Sequence, residues 1–402
     1  MPPNENAPKE AALAESDATA APGRYRVYVM DLSYFSGKLE AYLRYKRIPW
    51  QRIDVDWRRM QELRTHTGMM RVPTVATPAG EWLQDSTPMI DWFERRHPEP
   101  AVLPADPYQA FFCRLLEDYA DEWLWRPALH YRWSYAHDAH LLGDRIASEV
   151  MAGMRVPRAL RAAAMRRRQY RTYVRGDGVT SETRVHVEAL YLATLDRLER
   201  ILARHPFLLG EKPSLVDFGF FASMFRHFSL DPTPSRIMRN RAPRVYAWVA
   251  RLWNARAGET TGAWVAAGSL PEGWEPFLLD LGAAYLPYLH ANAIAYREGK
   301  RRFDSTVHGV TFRQVPVVRY RVWCRERLQR HFAVLPKAEQ PRVEETLRQY
   351  DCWEPLWRDG TIESQLHGDG DPAVCPPVRR TLLGRIRAED PWNPRPGERR
   401  RR

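Results

Sequence analysis

The sequence predicts an α+β protein in which a short unit of mixed strands and helices comes first and helices dominate the remainder. Two observations support this prediction. Between residues 24 and 98, short β-rich runs alternate with amphipathic stretches. From residue 106 onward, apolar residues recur mainly at helical spacing. The chain has 402 residues, 44% of them hydrophobic, so it can form two or three domains with substantial cores.

The composition excludes a disordered chain, a collagen and a disulfide miniprotein. Lys and Arg number 61 against 49 Asp and Glu, and the formal net charge of +12 favours anionic partners. The four cysteines form no CxxC pair, and no apolar run approaches the ~18 residues of a membrane span. The first 23 residues lack the apolar core of a secretion signal. We therefore expect a reduced, cytoplasmic protein with no membrane partner.

The N-terminal unit is predicted from local periodicity and turn residues. Phe35, Leu39, Tyr42 and Leu43 recur at helical spacing, and the strands flanking that helix are short β-rich runs. A Pro-Ala-Gly turn at 78–80 joins two further strands. The predicted elements are a strand at 25–30, a helix at 33–46, a strand at 50–56, a hairpin with strands at 74–77 and 81–84, and a helix from 86 to 96.

The remaining chain is divided by changes in composition. A helical domain is expected at 105–257, with an Arg-rich insertion at about 145–175, and a Pro- and Gly-containing linker follows it. A mainly helical extension is expected at 259–386, with helices at about 276–297 and 318–332 around a strand-like 306–315. Residues 1–23 are rich in Ala and Pro without aromatics, and 387–402 end in four arginines, so both are expected to be disordered tails.

Four motifs occur in a fixed order between Tyr25 and Asn254. Ser33-Tyr-Phe-Ser36 lies at the turn from strand to helix, Val72-Pro73 precedes the hairpin, and Asp85-Ser86 opens a helix. Ser214 and Asp217 form a capping box in the helical domain. In this order the motifs resemble the cytosolic glutathione S-transferase superfamily. The resemblance implies a thioredoxin-like N-terminal domain followed by an all-helical domain; the extension resembles those of some bacterial members.

The resemblance implies a site that activates the glutathione thiol. Only the thiolate is a good nucleophile, and a hydroxyl at the first turn of a helix offers a donor and a positive field. Ser33 is the predicted thiolate-stabilising residue, with Ser36 and Tyr34 as alternatives. The plainer interpretation of Ser33 is an ordinary helix N-cap. Family members with thiol-transferase activity carry Cys at this position, so mixed-disulfide chemistry is not expected.

The same resemblance assigns the binding residues. Val72 and Pro73, the latter after a cis peptide bond, would hold the cysteinyl part of glutathione, and Asp85 and Ser86 its γ-glutamyl end. The plainer interpretations are a trans proline at an edge strand and helix capping, respectively. The acceptor pocket is expected near Phe35, Tyr119 and Trp123, although aromatic residues at helical spacing are more often core.

Other signals leave the choice of function open. The segment 145–175 carries nine arginines and one glutamate, which indicates an anion-binding lid, a nucleic-acid contact or, most simply, a solvated helical insertion. His130, His137 and His140 do not form a metal-binding pattern, so no metal is expected.

Our first hypothesis is a homodimeric, serine-type transferase that joins glutathione to an electrophilic small molecule. The alternatives are a catalytically silent scaffold of the same fold that binds a protein or ligand, and a glutathione-dependent isomerase or lyase. We do not expect nucleic acid as a partner.

Overall fold

The computed structural model describes residues 23–366, 370–376 and 378, so the two predicted tails lie outside the described residues except Gly23. The N-terminal unit is a four-stranded sheet in the order β2-β1-β3-β4, in which only β1 and β2 are parallel. This is the predicted thioredoxin-like arrangement. Its elements are β1 (Tyr25–Val29), α1 (Tyr34–Tyr45), β2 (Trp50–Asp54), α2 (Trp57–Thr67), β3 (Thr74–Ala76), β4 (Trp82–Gln84) and α3 (Ser86–Arg96).

Helix α2 was not predicted from the sequence. The Asp56 side chain accepts a hydrogen bond from the backbone N–H of Arg59, and Gly68 ends the helix in a left-handed conformation. Both are ordinary helix boundary signals. The helix was missed because it is mostly polar and buries only Leu63 and Thr67, so its apolar periodicity is weak.

The helical domain surrounds one fully buried helix. Every residue of Leu215–Ser223 is buried, and the predicted capping box of Ser214 and Asp217 is present at its start. Asp217 also accepts a hydrogen bond from the Trp248 indole at 3.0 Å, which joins the cap to the following helices. The helices are α4 (Pro107–Trp123), α5 (Trp125–Ser134), α6 (Ala136–Glu149), α7 (Arg158–Gln169), α8 (Arg184–Ile201), α9 (Leu215–Ser223), α10 (Pro232–Arg241) and α11 (Pro243–Asn254).

The C-terminal extension is mainly helical and shares its core with both preceding domains. One apolar cluster runs from Val27 in β1 to Ala373. The two predicted helices are present, whereas the strand-like segment 306–315 is two antiparallel strands, because His308 and Gly309 form a turn within it. The elements are α12 (Glu275–Asp280), a π-helical turn (Leu281–Tyr285), α13 (Leu286–Arg297), β5 (Arg302–Val307), β6 (Val310–Pro316), α14 (Arg319–Ala333), α15 (Gln340–Gln349) and α16 (Trp353–Trp357).

The end of the extension returns to the N-terminal sheet. Val374 forms an antiparallel bridge with Leu83 in β4. The backbone N–H of Gln84 donates to the Ala373 carbonyl at 3.0 Å, and that of Cys375 donates to the Trp82 carbonyl at 2.7 Å. This segment therefore pairs with the edge of β4, immediately before the Asp85-Ser86 motif.

Candidate glutathione site

Ser33 is the N-cap of α1. Its backbone is extended (φ −86°, ψ 125°), and its Oγ accepts a hydrogen bond from the Ser36 N–H at 3.2 Å. The side chain is half-buried. The capping bond uses a lone pair of Oγ and leaves the hydroxyl proton for another acceptor. A donor and the positive end of a helix therefore coincide at Ser33.

The two alternatives to Ser33 are less accessible. Ser36 is fully buried, and its Oγ accepts from the Met30 N–H at 3.4 Å. Tyr34 is also buried, and its hydroxyl donates to the Ala120 carbonyl at 2.9 Å. Burial raises the pKa of Tyr34 well above its ordinary value, so the phenol stays protonated.

The predicted binding residues flank β3 and β4. The Val72–Pro73 peptide bond is cis, and β3 begins at the next residue. Asp85 caps α3 by accepting from the Thr87 N–H at 3.3 Å, with a positive φ of 72°. Ser86 is 2% exposed, and its Oγ is buried without a hydrogen-bond partner among the described residues. An unsatisfied buried hydroxyl at a helix N-terminus fits the carboxylate of a γ-glutamyl group.

Asp85 is electrostatically unfavourable in its ionised form. Burial raises the pKa of its carboxyl to about 7, although Tyr320 of α14 and Lys38 of α1 both act to lower it. Tyr320 belongs to the extension, so the extension reaches the residue predicted to hold the γ-glutamyl end. A cationic ammonium group would compensate the Asp85 charge, which is what glutathione carries at this end.

Lys38 joins this site to the helical domain and was not identified from the sequence. Its fully buried Nζ donates to Thr87 Oγ1 at 3.1 Å and forms ion pairs with Glu117 and Asp121 of α4. Burial acts to lower the pKa of Lys38, but the two carboxylates raise it overall, so the ammonium stays charged. From the extension, Arg327 adds a contact to Glu117 at 3.4 Å.

The aromatic residues predicted for the acceptor pocket separate into two groups. Tyr119 is fully buried and its hydroxyl donates to Asp280 at 2.6 Å, while the buried Trp123 packs against Tyr285 and Tyr288. Both side chains therefore lie in the interface with the extension, where solvent does not reach them.

Phe35, in contrast, is half-buried in the first turn of α1. It lies parallel to Trp125 with a centroid distance of 6.1 Å, and Trp125 meets the edge of Tyr173 at 5.8 Å. All three rings retain some exposure. Trp125 and Tyr173 were not identified from the sequence, because they join Phe35 only through the packing of α5 and the π-helical turn after α7.

The described residues also bear on a metal ion or a membrane as a partner. Among these residues, no group of three or more His, Cys, Asp or Glu is arranged to hold a metal ion. His130 instead contacts Glu188 at 3.0 Å and Ser134 at 2.8 Å. No helix in the described part of the chain is long and apolar enough to cross a membrane.

A thioredoxin-like domain whose first helix begins at a hydroxyl residue, joined to an all-helical domain, defines a glutathione transferase-like protein. Comparison with protein families agrees. Residues 27–101 match the glutathione S-transferase N-terminal domain, and residues 161–251 match the glutathione S-transferase C-terminal domain. These two segments of the chain are therefore domains of the glutathione S-transferase superfamily. No curated protein sequence matches it.

Solved structures with a similar arrangement are distant in sequence. A glutathione S-transferase from Methylobacterium radiotolerans, in complex with glutathione sulfonate, is 21% identical, with a TM-score of 0.36, over 61% of this chain and 99% of its own. The beta-etherase LigF from Sphingobium sp. strain SYK-6 is 19% identical, with a TM-score of 0.42, over 58% of this chain and 96% of its own. FzlA from C. crescentus is 15% identical, with a TM-score of 0.38, over 62% of this chain and 97% of its own.

Proposed function

We propose that this protein is a serine-type glutathione transferase, with Ser33 as the thiolate-stabilising residue. The observation that carries the proposal is the state of the Ser33 hydroxyl, which caps α1 as an acceptor and keeps its proton for donation. A hydrogen bond to a charged acceptor, together with the helix N-terminus, favours the thiolate over the thiol. The glutathione sulfur then attacks the electrophile, forming a sulfur–carbon bond as the leaving group departs.

The γ-glutamyl end binds at the start of α3. Its ammonium group pairs with Asp85 and relieves a carboxylate that burial otherwise disfavours. Its carboxylate accepts from Ser86 Oγ and from the N-terminus of α3. The backbone of Val72, before the cis proline, pairs with the cysteinyl part.

The electrophile packs on the exposed parts of Phe35, Trp125 and Tyr173. Two of these rings are parallel and a third lies perpendicular, which suits a flat apolar group. This surface replaces Tyr119 and Trp123 in our proposal, because those two side chains are covered by the extension. The predictions of a homodimer and of a cytoplasmic location remain predictions.

The proposal is tested with Ser33→Gly and Ser33→Thr. Glycine caps helices with a loss of only a few tenths of a kcal/mol, so it removes the hydroxyl while keeping the fold. Calorimetric titration gives the glutathione affinity, and the ultraviolet absorbance of the complex against pH gives the pKa of the bound thiol. We expect Ser33→Gly to bind glutathione but to raise that pKa by about 1–2 units, whereas Ser33→Thr stays near wild type.

Ser148→Ala is the matched control, because Ser148 is an exposed hydroxyl in α6 that donates to the Asp144 carbonyl. Turnover with an activated aryl chloride should fall in Ser33→Gly and not in the control. If glutathione binds with the same thiol pKa in wild type and Ser33→Gly, Ser33 is only a helix cap. If wild type does not bind glutathione at millimolar concentration, the transferase proposal is wrong.

One observation favours the silent-scaffold alternative. Tyr320 of the extension lies against Asp85, in the region that would receive the γ-glutamyl group. A protein in which Tyr320 stays in contact with Asp85 would keep the transferase fold but would not bind glutathione. The absence of glutathione binding by wild type, together with binding by Tyr320→Ala, would assign the extension to blocking the site.

A further inference from the structure

In the hairpin formed by α6 and α7, residues 136–169, helix α7 packs against α6 through a narrow inner face. Within α7, only Ala162 is buried. Gly143 of α6 lets α7 approach closely, because a Cβ at that position would lie 2.6 Å from Arg166 Cγ. These contacts fix which side of α7 faces the protein and leave the opposite side exposed.

The outer side of α7 combines apolar and basic residues. Residues 160, 164 and 167 follow one another at helical spacing, so Leu160, Ala164 and Arg167 share this side, and Arg171 follows in the π-helical turn Tyr170–Val174. All four are exposed. Arg167, Arg171 and the neighbouring Arg168 form no ion pair with any residue that the structure describes, so their charges face solvent.

The tip of the hairpin adds exposed aliphatic surface. Val156 is 45% exposed and Leu160 is 62% exposed, and both lie beside the exposed Arg155 and Arg158. Arg158 has one weak partner, Asp144, at 3.6 Å. Aliphatic side chains flanked by arginines on the exposed side of a helix are typical of segments that lie in a membrane interface.

We propose that this hairpin docks on anionic lipid surfaces. The arginines attract the lipid headgroups, and Val156 and Leu160 enter the boundary between headgroups and acyl chains. Nucleic acid would attract the same arginines, but exposed aliphatic side chains gain little from phosphates or from stacking on bases. Docking of this kind needs no membrane-spanning helix. It departs from the sequence-based expectation of no membrane partner and does not depend on the proposed transferase activity.

The test is sedimentation of the full chain with vesicles. Vesicles of phosphatidylcholine alone are compared with vesicles containing phosphatidylglycerol, at low and high salt. We expect binding only to the anionic vesicles, weakened by salt because screening acts on exposed charges. Arg167→Gln/Arg168→Gln/Arg171→Gln should lower the partition coefficient about 100-fold, at about fivefold per arginine. Leu160→Ser should lower it about tenfold.

The matched control is Arg200→Gln/Arg236→Gln/Arg313→Gln, which removes the same charge from exposed positions elsewhere. The four arginines that end the chain are present in every variant. If both triple variants lose vesicle binding equally, binding depends only on net charge and the proposal is overturned. Absence of binding to anionic vesicles would also overturn it, as would salt-sensitive binding of duplex DNA without vesicle binding, which would assign the arginines to nucleic acid.

Discussion

Asp85 offers a prediction in which stability and ligand binding change in opposite directions. A carboxyl whose pKa is higher in the folded than in the unfolded chain holds its proton more tightly when folded. With a pKa of about 7 against an ordinary 3.8, Asp85 favours folding at low pH, and this advantage is lost as the pH rises from about 4 to about 7. Above that range the folded protein carries a poorly compensated charge.

Asp85→Asn removes this charge and keeps the cap. Asn is as good an N-cap as Asp and tolerates positive φ, so the backbone of α3 should be unchanged. The difference between the two pKa values corresponds to about 4 kcal/mol at about 1.4 kcal/mol per unit. Because Asp85 keeps part of its surface in water, screening reduces this free energy, and we expect the variant to be more stable by about 2–3 kcal/mol at pH 8.

The measurement is urea unfolding of both proteins at about pH 4 and about pH 8, with and without glutathione. The gain in Asp85→Asn should be close to zero at the lower pH. Glutathione at 100 times its Kd should stabilise wild type by about 2.7 kcal/mol and the variant far less, because the ammonium group has lost its partner.

Asp56→Asn is the control for the loss of a capping carboxylate, since the Asp56 side chain caps α2 by accepting from the Arg59 N–H. The reasoning is refuted if Asp85→Asn has the same stability as wild type at the higher pH, or if glutathione stabilises both proteins equally.

Two further predictions concern Lys38, which is buried beneath the site, and the aromatic residues beside it. Lys38→Met should cost about 3–5 kcal/mol in urea unfolding, because it removes the ion pair of Asp121 and leaves Glu117 with Arg327 alone. Lys38→Arg should cost less. A fully stable Lys38→Met would contradict the network. Trp125→Leu should lower kcat/KM for an aryl electrophile about tenfold without changing KM for glutathione. Tyr119→Phe should instead lower the free energy of unfolding by about 1–3 kcal/mol and leave kcat/KM unchanged. Equal kinetic losses in both variants would contradict the placement of the acceptor surface.

Features that depend on neighbouring residues could be predicted from the sequence. The cap at Ser33, the helix start at Asp85 and the capping box of Ser214 and Asp217 each involve residues two or three positions apart. The cis Val72–Pro73 bond was expected from the resemblance rather than from local chemistry.

The missing parts of the site depend on contacts between distant segments. Lys38 meets its partners 49 to 83 residues along the chain, so no local pattern marks it as more than a helix residue. Tyr119 and Trp123 have the spacing of a helix face, and only the packing of the extension decides that this face is covered. The approach of Tyr320 to Asp85 likewise joins the last third of the chain to the first.

The pairing of residues 373–375 with β4 has a consequence for synthesis on the ribosome. The edge strand of the N-terminal sheet gains its last partner from a segment nearly 280 residues beyond α3. At about 5–20 residues per second, that partner is translated about 15–55 s after α3. During this interval the nascent chain presents an unpaired strand edge, and the surroundings of Asp85 are incomplete. The N-terminal domain therefore reaches its final structure only after residues 373–375 have been made.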